Sequence, residues 1–266
     1  MNVAQTPSGS ASAPLDLEFD GSIAVATLNR PQVFNALDLD LARALGRMVR
    51  TVGDHPDARV LLLRGAGKAF CGGGDVHAMQ RHAGDLPRFI AEMIDAFHDF
   101  ILAMARLQLP VVAAVQGAAA GGGFSLALAA DVIVAARSAR FVVAYPQLGT
   151  STDGGLSFRL QQRLGPGRAL ALLALSGPLP ASMAQSLGLL HAVVDDDALQ
   201  AEAMQTARQL AALPPTAVSE LRRLVQAPSY EALQDHLTRE REAFLRCAAS
   251  AEFAQRVAAF AGRAAR

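Results

Sequence analysis

The chain has 266 residues, of which 52% are hydrophobic and 18% are charged, so it can fill a large α/β core and is too apolar for disorder. Lysine plus arginine and aspartate plus glutamate each number 24, no basic run occurs and tryptophan is absent, which argues against a nucleic-acid partner. Two cysteines, Cys71 and Cys247, fit a reduced cytoplasmic protein better than a disulfide framework.

The first 14 residues are rich in serine, alanine and proline and lack the basic and apolar regions of a signal peptide. We expect residues 1–14 to form a flexible tail. The uncharged run Leu107–Ala130 is long enough to cross a bilayer, but Pro110, Gln116 and three consecutive glycines interrupt it. The run therefore predicts a strand, a turn and a helix of small residues, and no membrane partner.

Strand and helix patterns alternate over residues 15–195, which predicts an α/β core with a largely parallel sheet. Residues 196–266 are almost purely helical in pattern. The predicted strands are Ser22–Leu28, Arg59–Leu63, Val111–Val115, Val132–Ala135 and Arg140–Val143. The predicted helices are Leu37–Val52, Leu86–Arg106, Gly122–Ala130, Leu156–Leu164, Ala198–Ala212, Pro215–Val225, Tyr230–Cys247 and Glu252–Ala261.

Two glycine clusters each follow an apolar strand pattern. The first lies in Gly65–Met79 (GAGKAFCGGGDVHAM) and the second is Gly121–Gly123. Glycines at such places let the backbone approach a ligand closely and present N–H groups to it. Two such loops can converge on one oxygen and form an oxyanion hole. The alternative is that both clusters are only tight turns.

Three motifs occur in order: Asn29-Arg30-Pro31 with Asn35-Ala36-Leu37, Lys68–Asp75 (KAFCGGGD), and Gln116–Gly123 (QGAAAGGG) followed by Asp131. Together they resemble the crotonase superfamily, the enoyl-CoA hydratase/isomerase family. The resemblance implies a crotonase-like spiral of ββα units with a helical C-terminal part. It also implies an acyl-CoA thioester substrate, a homotrimer or dimer of trimers, and a C-terminal region that serves trimerisation and covers the active site. No separate cofactor is implied, because coenzyme A enters as part of the substrate.

By motif position, the resemblance gives the two oxyanion donors as the backbone N–H groups of Gly74 and Gly122. In the hydratases of this family two glutamates hold the water, and here Ser125 and Tyr145 stand at those positions. A serine hydroxyl is not basic enough to remove an α-proton unaided. Ordinary two-glutamate hydration is therefore disfavoured.

A carboxylate occurs slightly further on, at Asp153 in the segment GTSTDGGLS. An acidic residue there resembles the isomerase branches, including the ring-epoxide isomerases of phenylacetyl-CoA degradation. One acid suffices for a 1,3-proton shift, since it removes a proton and returns it elsewhere. The alternative is an N-cap of the predicted helix Leu156–Leu164.

The resemblance places coenzyme A along the Arg30–Ala36 loop and the backbone of Phe70–Gly74. The implied substrate-binding residues are Gln32, Val33, Ala36, Lys68, Phe70, Gly72, Asp75, Val76, Ser125 and Tyr145. Gln32 replaces a lysine common in the family, so Lys68, an arginine or a neighbouring subunit is expected to contact the phosphates. Asp75 is predicted to fix its loop by binding backbone N–H groups, and Asp131 is predicted to be structural.

His77 and His82 follow the first glycine loop, where a catalytic histidine would indicate the dehalogenase-like branch of the family; a surface or pocket-wall role is favoured. The pocket wall is predicted from Phe34, residues 77–82, the helix Leu86–Arg106 and the C-terminal helices of a neighbouring subunit. Cys71 is predicted to be there for its small size rather than as a nucleophile. No spacing of His, Cys, Asp and Glu predicts a metal site.

The leading functional hypothesis is an acyl-CoA isomerase with Asp153 as acid/base and Gly74 and Gly122 as the oxyanion hole. The second is a hydratase or another crotonase-type lyase that holds water differently. The third is a non-catalytic paralogue that binds acyl-CoA, or RNA as some members of the superfamily do.

Overall fold

The computed structural model describes residues 13–264. Their strands are β1 (Leu15–Asp20), β2 (Ile23–Leu28), β3 (Val60–Gly65), β4 (Val111–Val115), β5 (Ala118–Ala120), β6 (Val132–Ala136), β7 (Arg140–Val142), β8 (Leu179–Pro180) and β9 (Ala192–Val194). The helices are α1 (Leu39–Asp54), α2 (Val76–Arg81), α3 (Leu86–Arg106), α4 (Gly122–Leu128), α5 (Tyr145–Leu148), α6 (Leu156–Leu164), α7 (Pro166–Leu175), α8 (Ala181–Ser186), α9 (Leu199–Ala211), α10 (Pro215–Ala248) and α11 (Ala251–Ala264).

The strands form two sheets between which the chain alternates. The larger sheet has the order β1-β2-β3-β4-β6-β9 and is parallel except for the antiparallel pair β1 and β2. The smaller sheet has the order β5-β7-β8. Since β4 and β6 lie in the first sheet and β5 and β7 in the second, the units β4-β5-α4 and β6-β7-α5 repeat one ββα pattern. The crotonase-like α/β spiral is thereby confirmed.

Strand β1 and helix α10 are two of the places where the elements differ from those expected. Strand β1 was not predicted, because most of its side chains are exposed on the edge of the sheet and it lacks a buried apolar run. Helix α10 is continuous through residue 228, where the proline predicted a break between two helices. Contacts on both sides of that residue align the two halves along α3: Arg222 donates to the Met104 carbonyl (2.9 Å), and Arg241 pairs with Asp95 (3.0 Å).

The two glycine loops are joined directly by main-chain hydrogen bonds. The Cys71 N–H donates to the Ala118 carbonyl (3.1 Å), and the Ala120 N–H donates to the Cys71 carbonyl (2.9 Å). Gly123 in α4 packs against the same residue, and a Cβ atom there would lie 2.2 Å from the Cys71 oxygen. Only glycine allows this approach, so the small residue at 123 fixes the distance between the two loops.

The loop between β2 and α1 is held against the first glycine loop by Asn35. Its side chain is fully buried and donates to the carbonyls of Ala66 (2.8 Å) and Ala69 (2.9 Å). Its backbone has a positive φ of 55°, a conformation that asparagine tolerates better than most residues. Asn35 thus holds the first glycine loop in place.

Residues 1–12 of the predicted tail lie outside the described residues, whereas Pro14 accepts a hydrogen bond from the Asn29 N–H (2.9 Å). The apolar run Leu107–Ala130 forms the predicted strand β4 and helix α4, with the short strand β5 where a turn was predicted. No helix within residues 13–264 has the length and apolar character that a membrane crossing requires.

Replacing Gly123 by alanine tests the close approach of the two loops. We expect Gly123→Ala to lower the free energy of unfolding by about 1–3 kcal/mol, because the new methyl group overlaps the Cys71 carbonyl. Denaturant unfolding measures this change. The matched control is Gly46→Ala in α1, where the nearest atom lies 3.8 Å from the added Cβ and the substitution favours the helix. Equal stability of the two variants would contradict the account.

Candidate active site

A cavity of about 370 Å³ lies where the two glycine loops, α3, α5 and the C-terminal helices meet. Its wall is mostly apolar, with a few polar groups at one side, as is usual for small-molecule sites. The large apolar side chains that line it include Leu37, Met79, Met93, Phe97, Leu148, Phe244 and Phe260. Phe34, predicted for this wall, is 59% exposed and lies outside it, because the turn that contains it faces solvent.

Gly74 and Gly122 both line the cavity. Neither N–H donates to a protein acceptor within residues 13–264. For Gly122 the reason is its place as the first residue of α4, since the first N–H groups of a helix have no partner inside it. Preceding Gly121 turns the chain with a φ of 50°. The site therefore offers two unpaired backbone donors; that they bind a thioester oxygen stays a prediction.

The predicted binding residues divide into two groups. Gly72, Val76 and Tyr145 line the cavity together with Gly74, Gly122 and Asp153. The others do not line it: Gln32, Val33, Ala36, Lys68, Phe70, Asp75 and Ser125. The Lys68 side chain is exposed, whereas Phe70 is fully buried in the core, so only its backbone is available to the loop.

Asp75 and Asp131 have the structural roles that were predicted. The Asp75 carboxylate caps α2 by accepting from the Ala78 N–H (2.9 Å) and pairs with Arg30 (3.0 Å). Arg30 also pairs with Asp38 (2.8 Å), so its guanidinium is engaged within the loop. Asp131 accepts from Arg222 (2.8 Å) and joins α10 to the core.

Ser125 and Tyr145, which the resemblance aligns with two glutamates, bind the main chain of Asp153. The Ser125 hydroxyl donates to the Asp153 carbonyl (2.6 Å), as does the Tyr145 hydroxyl (3.1 Å), and the two hydroxyl oxygens are 3.1 Å apart. Burial, reinforced by the charge of Asp153, raises the pKa of Tyr145 well above its ordinary value. Both groups are therefore neutral donors that position the acidic residue.

Asp153 is buried and reaches the cavity wall. Its Oδ1 accepts a hydrogen bond from the Gly154 N–H (2.6 Å) and is hydrogen-bonded to Nε2 of His98, which the Gly154 N–H also approaches (3.4 Å). The alternative that the Asp153 side chain caps α6 is wrong: the N-cap residue is Gly155, and the Asp153 carboxylate accepts from no N–H of the first helical turn, although the Asp153 carbonyl accepts from the Leu156 N–H (3.5 Å). Gly154 and Gly155 both have positive φ values, and the turn that they form directs the Asp153 carboxylate away from the helix end.

Glu240, from the distant helix α10, takes the capping role. Its carboxylate accepts from the N–H groups of Gly155 (2.7 Å) and Ser157 (3.3 Å) and from the Thr152 hydroxyl (2.9 Å). Burial acts to raise the pKa of Glu240, but the donors from His236, Ser157 and Gly155 outweigh it and leave the pKa lowered. A single carboxylate thus fixes the loop on both sides of Asp153.

His98 is the site residue that the sequence reasoning missed. It lies on the buried face of α3, one turn from Ile94 and Ile101, and is 7% exposed. Burial acts to lower the pKa of His98, but the charge and hydrogen bond of Asp153, assisted by Glu240 and Asp95, leave it raised. In the sequence, His98 is one polar residue among the apolar residues of a helix face. A histidine in that setting is more often a hydrogen-bonded core residue than a functional one.

The other candidate reactive groups stand apart from the cavity. His77 and His82 do not line it, and His82 stacks on Phe89 with ring centroids 4.1 Å apart. Burial raises the pKa of Cys71 to about 12, so its thiol stays protonated. Within the described residues, the ligand atoms of His98, Asp153 and Glu240 lie within 4.8 Å of one another, a spacing that a metal ion could use. The N–H donors already bound to Glu240 would have to be displaced.

Comparison with known proteins identifies the class. Residues 18–265 match the family model for enoyl-CoA hydratase/isomerase. The chain is 34% identical to 1,2-epoxyphenylacetyl-CoA isomerase of Escherichia coli strain K12 over 88% of this chain and 90% of the relative. It is 32% identical to a probable enoyl-CoA hydratase of Rhodobacter capsulatus over 91% and 93%. A crystal structure of an enoyl-CoA hydratase from Mycobacterium avium subsp. paratuberculosis K-10 superposes with a TM-score of 0.85 at 29% identity, covering 94% and 99%. The chain belongs to the enoyl-CoA hydratase/isomerase family, whose substrates are acyl-CoA thioesters.

The cap supplied by Glu240 predicts a pH-dependent contribution to stability. We expect Glu240→Gln to lower the free energy of unfolding by about 1–3 kcal/mol at neutral pH. The glutamine amide keeps one acceptor oxygen and has an NH2 group, which cannot accept, in place of the other. The pKa of Glu240 is lowered in the folded protein. The carboxylate's contribution to the free energy of unfolding is therefore fully present above the ordinary pKa of 4.5, and it is lost as the pH falls through the lowered pKa.

Denaturant unfolding at a series of pH values measures this contribution. The control is Glu242→Gln, an exposed neighbour on the same helix, for which we expect a change within about 0.5 kcal/mol. A deficit of Glu240→Gln that persisted unchanged below the lowered pKa would contradict the assignment.

Proposed function

We propose that this chain is an acyl-CoA isomerase that shifts a proton along the acyl group through an enolate. The observation that carries the proposal is one carboxylate, Asp153, in the wall of a cavity that also holds the free N–H groups of Gly74 and Gly122. Such a site provides one proton acceptor and two donors for a developing negative charge. These are the parts that a 1,3-proton shift needs.

In the proposed mechanism the thioester oxygen binds between the amides of Gly74 and Gly122. Asp153 takes a proton from the α-carbon, which is next to the thioester carbonyl. The C–H bond breaks, an O–H bond forms on the carboxylate, and the electron pair moves toward the thioester oxygen. The carboxylic acid then returns the proton to a carbon two positions away as the electrons move back. One oxyanion donor of this kind contributes roughly 10²–10³ in rate.

Hydration is the less favoured reaction. The two positions at which hydratases of the family hold water carry Ser125 and Tyr145, and both hydroxyls bind the Asp153 carbonyl. The nearest other carboxylate, Glu240, accepts from backbone N–H groups and does not line the cavity. A second base to activate water is therefore not provided by these residues.

The acyl group that suits the cavity is bulky and apolar. The rings of Phe97, Phe244 and Phe260 and the flexible side chains of Met79 and Met93 surround it, and methionine adapts to irregular or ring-shaped groups. Similarity to the epoxyphenylacetyl-CoA isomerase supports a ring-containing acyl group as the first substrate class to test.

The contact between His98 and Asp153 favours a second candidate, a dehalogenase-like substitution. In that reaction the carboxylate would form an ester bond with an activated carbon while a leaving group departs with its electron pair. A water deprotonated by the histidine would then hydrolyse the ester and restore the carboxylate. An acyl ester on Asp153, detected by mass spectrometry after acid quench, would identify this reaction.

The proposed isomerase activity is tested by following proton exchange into D₂O by NMR with 3-enoyl and ring-containing acyl-CoA thioesters. We expect the wild type to move the double bond and incorporate deuterium at the carbon that receives the proton. Asp153→Asn should lower both rates by 10³-fold or more, on the order of the largest contributions of general bases. The matched control is Asp99→Asn, an exposed aspartate on α3, which should retain full activity.

Two outcomes would overturn this proposal. Equal rates for Asp153→Asn and wild type would remove Asp153 as the base. Hydrated products without double-bond migration would favour a hydratase.

A further inference from the structure

We propose that His98 is a positioning residue that acts as a protonated partner of Asp153 and leaves one carboxylate oxygen facing the cavity for proton transfer. This inference rests on the proposed role of Asp153. His98 itself does not line the cavity, so it acts on the substrate only through the carboxylate.

The geometry divides the two carboxylate oxygens between different tasks. Both hydrogen bonds to the Asp153 carboxylate, from His98 Nε2 and from the Gly154 N–H (2.6 Å), go to Oδ1. Within residues 13–264 no protein donor binds Oδ2. Because Asp153 reaches the cavity wall, Oδ2 is the atom left to receive and return a substrate proton.

The surroundings of His98 favour its charged form. Its nitrogen and the carboxylates of Asp153 and Glu240 lie within 4.8 Å of one another in the interior, and Asp95 lies on the same helix. With a neutral histidine, two buried carboxylates would lie close together: Glu240 has His236 beside it (3.6 Å), but within residues 13–264 no other cationic side chain is bonded to Asp153. A protonated imidazole relieves this repulsion, as opposite charges at such distances do.

A fixed carboxylate returns the proton efficiently. If the side chain of Asp153 turned after taking the proton, the acid would point away from the carbon that must receive it. Misplacement of a reacting group by about 1 Å can cost on the order of 100-fold in rate. His98 therefore contributes to kcat and not to substrate binding.

The first test is an NMR titration of the substrate-free protein, which does not depend on the reaction. The six histidines are assigned by the loss of one signal in each His→Gln variant. We expect His98 to titrate above 6.5 in the wild type and its pKa to fall in Asp153→Asn, because the charge is removed and the burial remains. A pKa at or below 6.5 in the wild type would overturn the proposal.

The second test compares kcat and KM of His98→Leu and His98→Gln, with the exposed His191→Gln as control. We expect His98→Leu to lower kcat by about 100-fold with KM within about threefold, and His98→Gln to retain more activity because its amide can still donate. The ionisation of His98 in the pH profile of the wild type should disappear in both.

These tests separate the two levels of the account. If no acyl-CoA is isomerised but His98 titrates as expected, the proposed function fails and the ion pair stands. Full kcat and an unchanged pH profile in both His98 variants would overturn the positioning role. Accumulation of an ester on Asp153 in His98→Gln would overturn it as well, since the histidine would then act as a base.

Discussion

The close contact between two main-chain segments, at Cys71 and Gly123, is the constraint on which the rest of the site depends. A Cβ atom at position 123 would lie 2.2 Å from the Cys71 oxygen, so the start of α4 can reach the first glycine loop only with glycine there. The hydrogen bonds between Cys71 and residues 118 and 120 fix the register of that contact. The donors at Gly74 and Gly122 are thus positioned by backbone geometry, and no side chain has to be ordered when a substrate binds.

The second feature of the site is the concentration of buried charge behind the cavity. Asp153 and Glu240 are each buried, and their partners differ: Asp153 is bonded to His98, which we propose to be protonated, and Glu240 accepts from backbone N–H groups. Burying a carboxylate without such partners would cost several kcal/mol. The Gly154–Gly155 turn separates the carboxylate of Asp153, the proposed base, from the end of α6 that Glu240 binds.

Much of this arrangement was predictable from local sequence, because glycine clusters after apolar strands and an aspartate before two glycines are local signals. The partners of Asp153 were not predictable, since His98 lies 55 residues before it and Glu240 lies 87 residues after it. The N-cap alternative failed for the same reason. The local sequence predicted that the start of α6 is capped, but the capping carboxylate, Glu240, comes from the distant helix α10. Helix α10 continues through residue 228 because packing against α3 outweighs a local helix breaker.

The central claim is that the amides of Gly74 and Gly122 converge on the thioester oxygen while residue 153 faces the carbons that exchange a proton. A crystal structure of Asp153→Asn with a bound, unreacted ring-containing acyl-CoA tests this claim most directly. The account predicts the thioester oxygen at roughly 2.7–3.1 Å from both amide nitrogens, with the residue 153 side chain against the adjacent carbons. A thioester oxygen bound away from either amide, or an acyl group outside the cavity, would contradict it.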